Sequence, residues 1–428
     1  MLPRPRPWVA ALLCLWARLA CCNQHKPDNA ANRLTEEHIP RELRAWTWAN
    51  GPLPDLATED VLEVVETDFS GEVEEEHNTS CGPDCEKTLP TPSLSEFNDY
   101  LSYETLFENG TSVFTKVRWS EVPEAEKEIR REVKEMAEKA RRKKRQIFGV
   151  DTRFNILGEE YLTHFPFSAV VKLSTGCTGV LISEKHVLTA AHCIHNGKRY
   201  VKGRKSMKIG FIVSQPYNET MRMHRDSEWR WIKVKKTQIP AAWKKIRNRE
   251  KAVIPDKDKE TKTKKRKTKS RSRREVDEED NPEIEAVKYD YAVVELKEST
   301  DRPYMDIGVS SAVNTAPGRR IHFTGFDNDQ EDRLLYRYCS VMENTADVLY
   351  QHCDAQPGTS GAGIYIRNWN DTVHKWQRKI IGVFSGHQWV NQDGAPRDYN
   401  VGTRITPLKF AQICFWTKGD YNLCREGY

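Results

Sequence analysis

The chain has 428 residues, of which 38% are apolar, 67 basic and 62 acidic, for a net charge of +5, and it carries 11 cysteines. That length and apolar content allow a domain-sized core and exclude a small peptide, a chain disordered throughout and a bundle of membrane spans. The charge is unevenly laid out: residues 24–145 hold 17 basic and 27 acidic side chains, a net −10, whereas residues 146–428 hold 47 and 35, a net +12.

The first predicted element is a secretory leader over residues 1–22. Arg4 and Arg6 precede an apolar stretch at 8–19, and Ala20-Cys21-Cys22 supplies small residues for cleavage. Arg18 interrupts the stretch, which leaves a signal anchor as the alternative. No other segment has the roughly 18 apolar residues of a spanning helix, so the chain is expected to be secreted and extracellular, with no membrane partner. Without the leader eight cysteines remain: Cys81, Cys85, Cys177, Cys193, Cys339, Cys353, Cys414 and Cys424. An even number in an exported chain points to disulfides. Zinc competes for Cys81 and Cys85, but no second ligand pair lies nearby. Asn78, Asn109, Asn218 and Asn370 open sequons for glycosylation.

Residues 23–145 read as an acidic pro-region, partly disordered and partly helical, with few strand-like runs. Its end, 121–142, is dense in Glu, Lys, Arg and Ala and places Ile129, Val133 and Met136 on one helical face. The cluster Arg141-Arg142-Lys143-Lys144-Arg145 follows. It reads either as a solvated helix end whose charges suit the dipole or as the cleavage site of a proprotein convertase. The change of composition at this point favours cleavage after Arg145, leaving Gln146 first, with the acidic part shielding a basic mature part until release.

From Phe148 onward, short apolar runs at 169–173, 179–182, 187–190, 208–213, 291–296, 321–324 and 380–384 alternate with glycines, which predicts an all-β sandwich or barrel. Thr406 as cap and Pro407 in the first turn predict a closing helix to about residue 416. Residues 244–280 form a basic, disordered insertion. Its block Lys264-Lys265-Arg266-Lys267 suggests sulfated glycans such as heparan sulfate outside the cell. Arg274 suggests a second convertase site. A solvated loop without a ligand is the plain alternative, and nucleic-acid binding conflicts with the leader.

Three motifs carry chemistry. Val187-Leu188-Thr189-Ala190-Ala191-His192-Cys193 ends an apolar strand in a small-residue turn, with Cys177 available to pair with Cys193, so His192 is held as a general base requires. A packed histidine, or a metal held by His192 and His195, is the competing reading. Asp290 opens the apolar run 291–296 and is placed to accept the Nδ1 proton of His192. Gly358-Thr359-Ser360-Gly361-Ala362-Gly363 exposes the Ser360 hydroxyl and aims the N–H groups of Gly358 and Ser360 at an oxyanion. The order His192, Asp290, Ser360 is that of chymotrypsin-like proteases and not of α/β-hydrolases.

Residues 147–428 therefore resemble a trypsin/chymotrypsin-type serine protease domain, most similar to the secreted serine protease 23 and serine protease 35 group. The segments carrying this are 145–149, 171–177, 200–203, 289–291, 353–356 and 384–389, with 100–105 and Asn109 in the pro-region. Within the group, 89–94 and the basic insertion are closer to serine protease 35, which is described as inactive with Thr at the nucleophile position, where this chain has Ser360. The resemblance implies two six-stranded antiparallel β-barrels with a C-terminal helix, the triad His192, Asp290 and Ser360, and no cofactor or metal. It also implies a specificity pocket of Asp354, Ser385, His387 and Asn400, with Asp354 favouring a basic substrate side chain and His387 an acidic one. Cys177 with Cys193 is the supported disulfide; Cys339, Cys353, Cys414 and Cys424 are the other cysteines expected in disulfides, with Cys339 to Cys353 the pairing the motif suggests and the connectivity otherwise open.

Thr359 departs from the family, whose Asp at that position pairs with a new N-terminal Ile ammonium after activation. Gln146, which can cyclise, departs likewise. The oxyanion hole must be held another way, or it is not formed. The expected function is a serine endopeptidase acting on protein or peptide substrates. The alternative is a catalytically weak, protease-like extracellular binding module.

Overall fold

The computed structural model describes residues 56–62, 68–79, 82–83, 98, 100–119, 151–214, 217–218, 223–224, 228–245, 285–309, 317–330, 332–370, 374–392, 395–420 and 423. The leader, Cys81, Cys85, the 121–142 segment, Arg145, Gln146, Lys264, Lys265, Arg266, Lys267, Arg274 and Cys424 lie outside the described residues.

Before residue 145 the chain forms β1 (Leu56–Leu62), β2 (Glu76–Thr79), β3 (Tyr103–Phe107) and β4 (Ser112–Trp119). A short β5 (Phe154–Asn155) comes next, and the first barrel region follows with β6 (Val170–Leu173), β7 (Thr178–Leu181), β8 (His186–Thr189) and β9 (Lys208–Ser214). It continues through the short pair β10 (Tyr217–Asn218) and β11 (Met223–His224) to β12 (Glu228–Pro240) and β13 (Ala292–Leu296). The second comprises β14 (Asp306–Ile307), β15 (Arg320–Gly325), β16 (Leu335–Asn344), β17 (Val348–Gln351), β18 (Gly363–Asn370), β19 (Lys375–Gln392) and β20 (Ala395–Arg404).

Strands β12-β13-β8-β7-β6-β9 run in that order, and pairing of β12 with β9 closes them into a six-stranded barrel. Strands β19-β18-β15-β16-β17-β20 close in the same way through β19 and β20. Closure removes the free sheet edges that would otherwise invite aggregation. Val171, Leu173, Leu181, Val187, Ile209 and Val294, which share one face in the strand register, fill the first barrel, and Ile321, Phe323, Val341, Leu349, Ile364, Ile381 and Phe384 the second. The two-barrel architecture is the one expected.

Before residue 120 the described chain carries four strands where few strand-like runs were expected, beside helical residues at Asn98, Tyr100 and Leu101: β3 pairs with β12 from Tyr103↔Pro240 to Phe107↔Lys236, and β4 and β1 extend the same sheet. The β3–β4 hairpin turns through Asn109 and Gly110, whose φ of 88° is open to glycine at no steric cost. The Gln412 amide, from the closing helix, donates to the carbonyls of Tyr100 and Leu101 at 3.1 and 3.0 Å. Buried Glu104 takes Tyr200 and Lys244. The described stretches between residues 56 and 119 are thus part of the folded body.

The closing helix, Pro407–Lys418, forms where expected, with the Thr406 side chain accepting from the Lys409 N–H and Gly419 ending it in the left-handed region. Its buried Lys409 ammonium lies 2.7 Å from Asp347. Cys177 pairs with Cys193 and Cys339 with Cys353. Cys414 is also disulfide-bonded, to a partner outside the described residues.

Thr178 pins the Ser360 turn to the first barrel. Its N–H donates to the Ser360 carbonyl at 2.9 Å and its hydroxyl to the Gly358 carbonyl at 2.8 Å. At Gly361, φ is +87° and an added Cβ would stand 2.2 Å from both the Thr178 carbonyl oxygen and Thr189 Oγ1. Gly361→Ala is therefore expected to destabilise the protein by about 2–4 kcal/mol, read as a lower denaturant midpoint at unchanged slope.

Candidate active site

His192 sits in the single 3-10 turn Ala191–Cys193 that follows β8, and the Cys177–Cys193 disulfide ties that turn back to the start of β7. Ala190 and Ala191, both fully buried, are small enough to let the turn tuck under β13. Asp290 ends up opposite because Ala292 pairs with Thr189 across β13 and β8.

Asp290 grips His192 twice. The His192 backbone N–H donates to Oδ1 at 2.8 Å, and Nδ1 donates to Oδ2 at 2.7 Å. The Ser385 hydroxyl also donates to Oδ2. Both side chains of the pair are 0% exposed, so no water competes for these bonds. Burial pushes the Asp290 pKa up, but the charge and hydrogen bond of His192, with the Ser385 hydroxyl, outweigh it and hold the carboxyl below its ordinary value. A carboxylate so placed fixes the Nδ1–H tautomer and leaves Nε2 to act as base.

Ser360 is fully buried in the turn between β17 and β18, and its hydroxyl donates to the Ser385 carbonyl at 3.2 Å. Transfer of its proton to His192 requires that hydroxyl to rotate. Gly358 has φ +101°, and a Cβ there would meet the Phe326 carbonyl oxygen at 2.5 Å. Its N–H, one of the two expected oxyanion donors, points to the Glu75 carboxylate at 3.1 Å.

The turn is held by groups that sequence reasoning did not single out. Thr359 Oγ1 accepts from Arg337 Nη1 at 2.9 Å and donates to Asp327. Arg337 Nη2 in turn donates to Asp327 Oδ1 at 2.7 Å, with both side chains 0% exposed. The other Asp327 oxygen accepts from Arg153 at 2.9 Å and from the Gln356 N–H at 3.1 Å. Burial pulls the Arg337 pKa down, against the pull of Asp327 that keeps the guanidinium charged. This anchor bears on the loop from inside the second barrel and uses no chain terminus. Arg337 was detectable as a charged residue at an inward position of β16, between half-buried Tyr336 and exposed Tyr338.

The four residues expected to form the pocket are dispersed in role. Ser385 supports Asp290. Asp354 is half-buried, and its Oδ2 accepts from the Thr152 N–H at 2.7 Å and hydroxyl at 2.8 Å. Asn400 is buried and donates to the Cys353 carbonyl at 2.6 Å. His387 stands opposite Asn400 in the β19–β20 register, with its N–H donating to the Glu75 carbonyl at 3.0 Å. Near the His192 ring lie Cys177 and Cys193 Sγ, which are joined to each other, and His195 Nδ1 accepts from the Gly197 N–H at 3.0 Å. Among the expected glycosylation sites, Asn109 lies in an exposed turn, Asn78 in β2, Asn218 in β10 and Asn370 at the end of β18.

A family model described as Trypsin matches residues 158–261. The chain is 44% identical over 388 residues to serine protease 23 of Rattus norvegicus and equally to that of Homo sapiens, covering 89% of this chain and 92% of each of those. It is 41% identical over 428 residues to inactive serine protease 35 of Macaca mulatta, covering 90% and 95% respectively. A solved structure of a Glu endopeptidase in complex with MPD aligns with 64% of this chain and 100% of that chain, at 16% identity and a TM-score of 0.41.

Two outcomes follow from the buried charges. Arg337→Met leaves the buried Asp327 carboxylate with Arg153 as its remaining cation and is expected to cost about 3–5 kcal/mol in chemical denaturation. Because the Asp290 pKa is depressed on folding, its contribution to stability is present above the ordinary carboxylate pKa of about 4 and is lost as pH falls through the folded value. Asp290→Asn should accordingly flatten the acid limb of a stability-against-pH curve.

Proposed function

Since the chain belongs to the trypsin-like serine protease family, alongside serine protease 23 and inactive serine protease 35, we propose that it is a secreted serine endopeptidase, made as a precursor that a proprotein convertase cuts after Arg145. The observation that carries this reading is the doubly hydrogen-bonded, fully buried His192–Asp290 pair beside a Ser360 turn that is anchored without a new amino terminus.

In this reading Ser360 Oγ attacks the scissile carbonyl carbon as its proton passes to His192 Nε2, and Asp290 stabilises the resulting imidazolium. The N–H groups of Gly358 and Ser360 receive the negative oxygen. Collapse breaks the C–N bond and returns the proton to the leaving amine. Water then repeats the sequence on the acyl-enzyme and frees Ser360. Asp354 has one oxygen engaged by Thr152 and the other available to a basic substrate side chain.

The second reading is an inactive, heparan-sulfate-binding extracellular module. It is favoured by the Ser360 hydroxyl pointing at Ser385 and by the relative named inactive. Labelling of secreted, Arg145-cleaved protein with a fluorophosphonate separates the two, because only an activated serine reacts. Wild type is expected to label, whereas Ser360→Ala and His192→Ala lose labelling by on the order of 10³-fold or more. Absence of labelling in folded wild type, with heparin retention that disappears when Lys264, Lys265, Arg266 and Lys267 are neutralised, would establish the second reading instead.

A further inference from the structure

The acidic stretch that begins at Asp68 runs from the first barrel into the catalytic centre. At its start, the Tyr200 N–H donates to the Asp68 carbonyl, the Gly71 N–H to the Tyr200 carbonyl and the Lys202 N–H to the Gly71 carbonyl, all at 2.9–3.0 Å. Arg199 pairs with Asp68 at 3.1 Å and Lys202 with Glu72 at 3.2 Å. Four residues after Gly71 the chain reaches the site. The Glu75 carbonyl accepts from His387, and the Glu75 carboxylate accepts from the Gly358 N–H at 3.1 Å. His77 is buried with Nε2 3.4 Å from Ser385 Oγ, and β2 then continues along β19 in parallel from Glu76↔His387 to Thr79↔Val390. The approach is close enough that a Cβ on Gly386 would stand 2.2 Å from the Glu75 carbonyl oxygen.

A side-chain carboxylate in the oxyanion site offers the negative oxygen that the site is built to receive, but it has no leaving group, so attack by Ser360 leads nowhere. The same segment occupies the free backbone edge of β19 at His387–Val390, which an extended peptide would otherwise use. Cleavage after Arg145 leaves all of these contacts intact. It also leaves β3 paired with β12 and Gln412 bonded to Tyr100 and Leu101.

Building on the endopeptidase reading, we propose that residues 68–79 are an inhibitor in cis, with Glu75 as its oxyanion-site ligand, and that the pro-region stays seated after the Arg145 cut, so that activation requires expulsion of this segment. The cleft therefore accepts an acidic, extended peptide running parallel to β19, supplied here by the chain itself.

The test uses the full chain, cleaved after Arg145, as wild type, Glu75→Ala and Glu75→Gln. Glu75 is half-buried on the surface of the fold, so truncation is compatible with folding. Second-order labelling by a fluorophosphonate is expected to be at least about tenfold faster in Glu75→Ala, a change of about 1.4 kcal/mol in barrel-to-segment competition. Glu75→Gln, which keeps the acceptor and drops the charge, should fall between. A peptide of residues 68–79 added in excess should slow Glu75→Ala towards the wild-type rate. Amide hydrogen exchange at Gly358 should quicken in Glu75→Ala. The N-terminal fragment should co-elute with the remainder in native buffer and separate only in denaturant with reductant. Equal labelling of wild type and Glu75→Ala overturns the inhibition, and early separation of the fragment overturns its retention. If no protein labels but Gly358 exchange still quickens, the seating of Glu75 stands and the endopeptidase reading falls. Unchanged exchange would remove the seating itself.

Discussion

The Asp327 side chain is fully buried beside β15, and the setting of the Ser360 turn follows from how its charge is met. Two guanidinium groups, a threonine hydroxyl and a backbone N–H converge on it. An isolated buried carboxylate costs several kcal/mol, so the four partners are mutually obligatory: removing one leaves the others paying for an uncompensated charge. Through Thr359 this demand fixes the residue before Ser360. Through Gln356 it fixes the entry to the Gly358 turn. The shape of the Gly358–Ser360 turn is thereby set by chain folding and not by a terminus created afterwards.

That arrangement separates two events that the family resemblance joins. Where an ammonium released by proteolysis shapes the oxyanion site, cutting and assembly are one step. Here Thr359 has no charge to offer an ammonium, and the Arg337–Asp327 pair is internal to the second barrel. Control over such a preformed site has to act by covering it, and the side chain that covers it is an acid from the most acidic part of the chain.

The strands whose apolar residues run consecutively, β6 to β9, β13, β15 and the middle of β19, were legible in the sequence because both their faces or their whole length lie in a core. Strands β12 and β16 were not. In β12 the outward positions are filled by Lys, Arg and Glu, as in Lys233 and Lys235 flanking buried Val234, so hydrophobicity returns only at every second residue, and in β16 a buried charge, Arg337, stands between Tyr336 and Tyr338. The β3–β4 hairpin was hidden differently: Asn109-Gly110 was read as a sequon when it is also a strong turn signal. At the site, His192 and Asp290 were found through local motifs that keep their neighbours close in sequence. Asp327, Arg337 and Glu75 were not, because each acts on a turn 22 to 283 residues away and an acidic run such as 72–76 has the composition of a solvated surface.

Strand β12 has a further consequence. Its last residues, from Thr237 to Pro240, are buried and bonded to β3 along the side that the barrel does not use. A recombinant protein starting at Gln146 would be born with that margin bare, presenting Thr237, Gln238 and Ile239 as an adhesive seam to other nascent molecules. The acidic stretch before residue 120 is then a scaffold for biogenesis as well as, in the proposed inhibition, a cover for the site, and the two duties reside in different segments: β3 for assembly, residues 68–79 for silence.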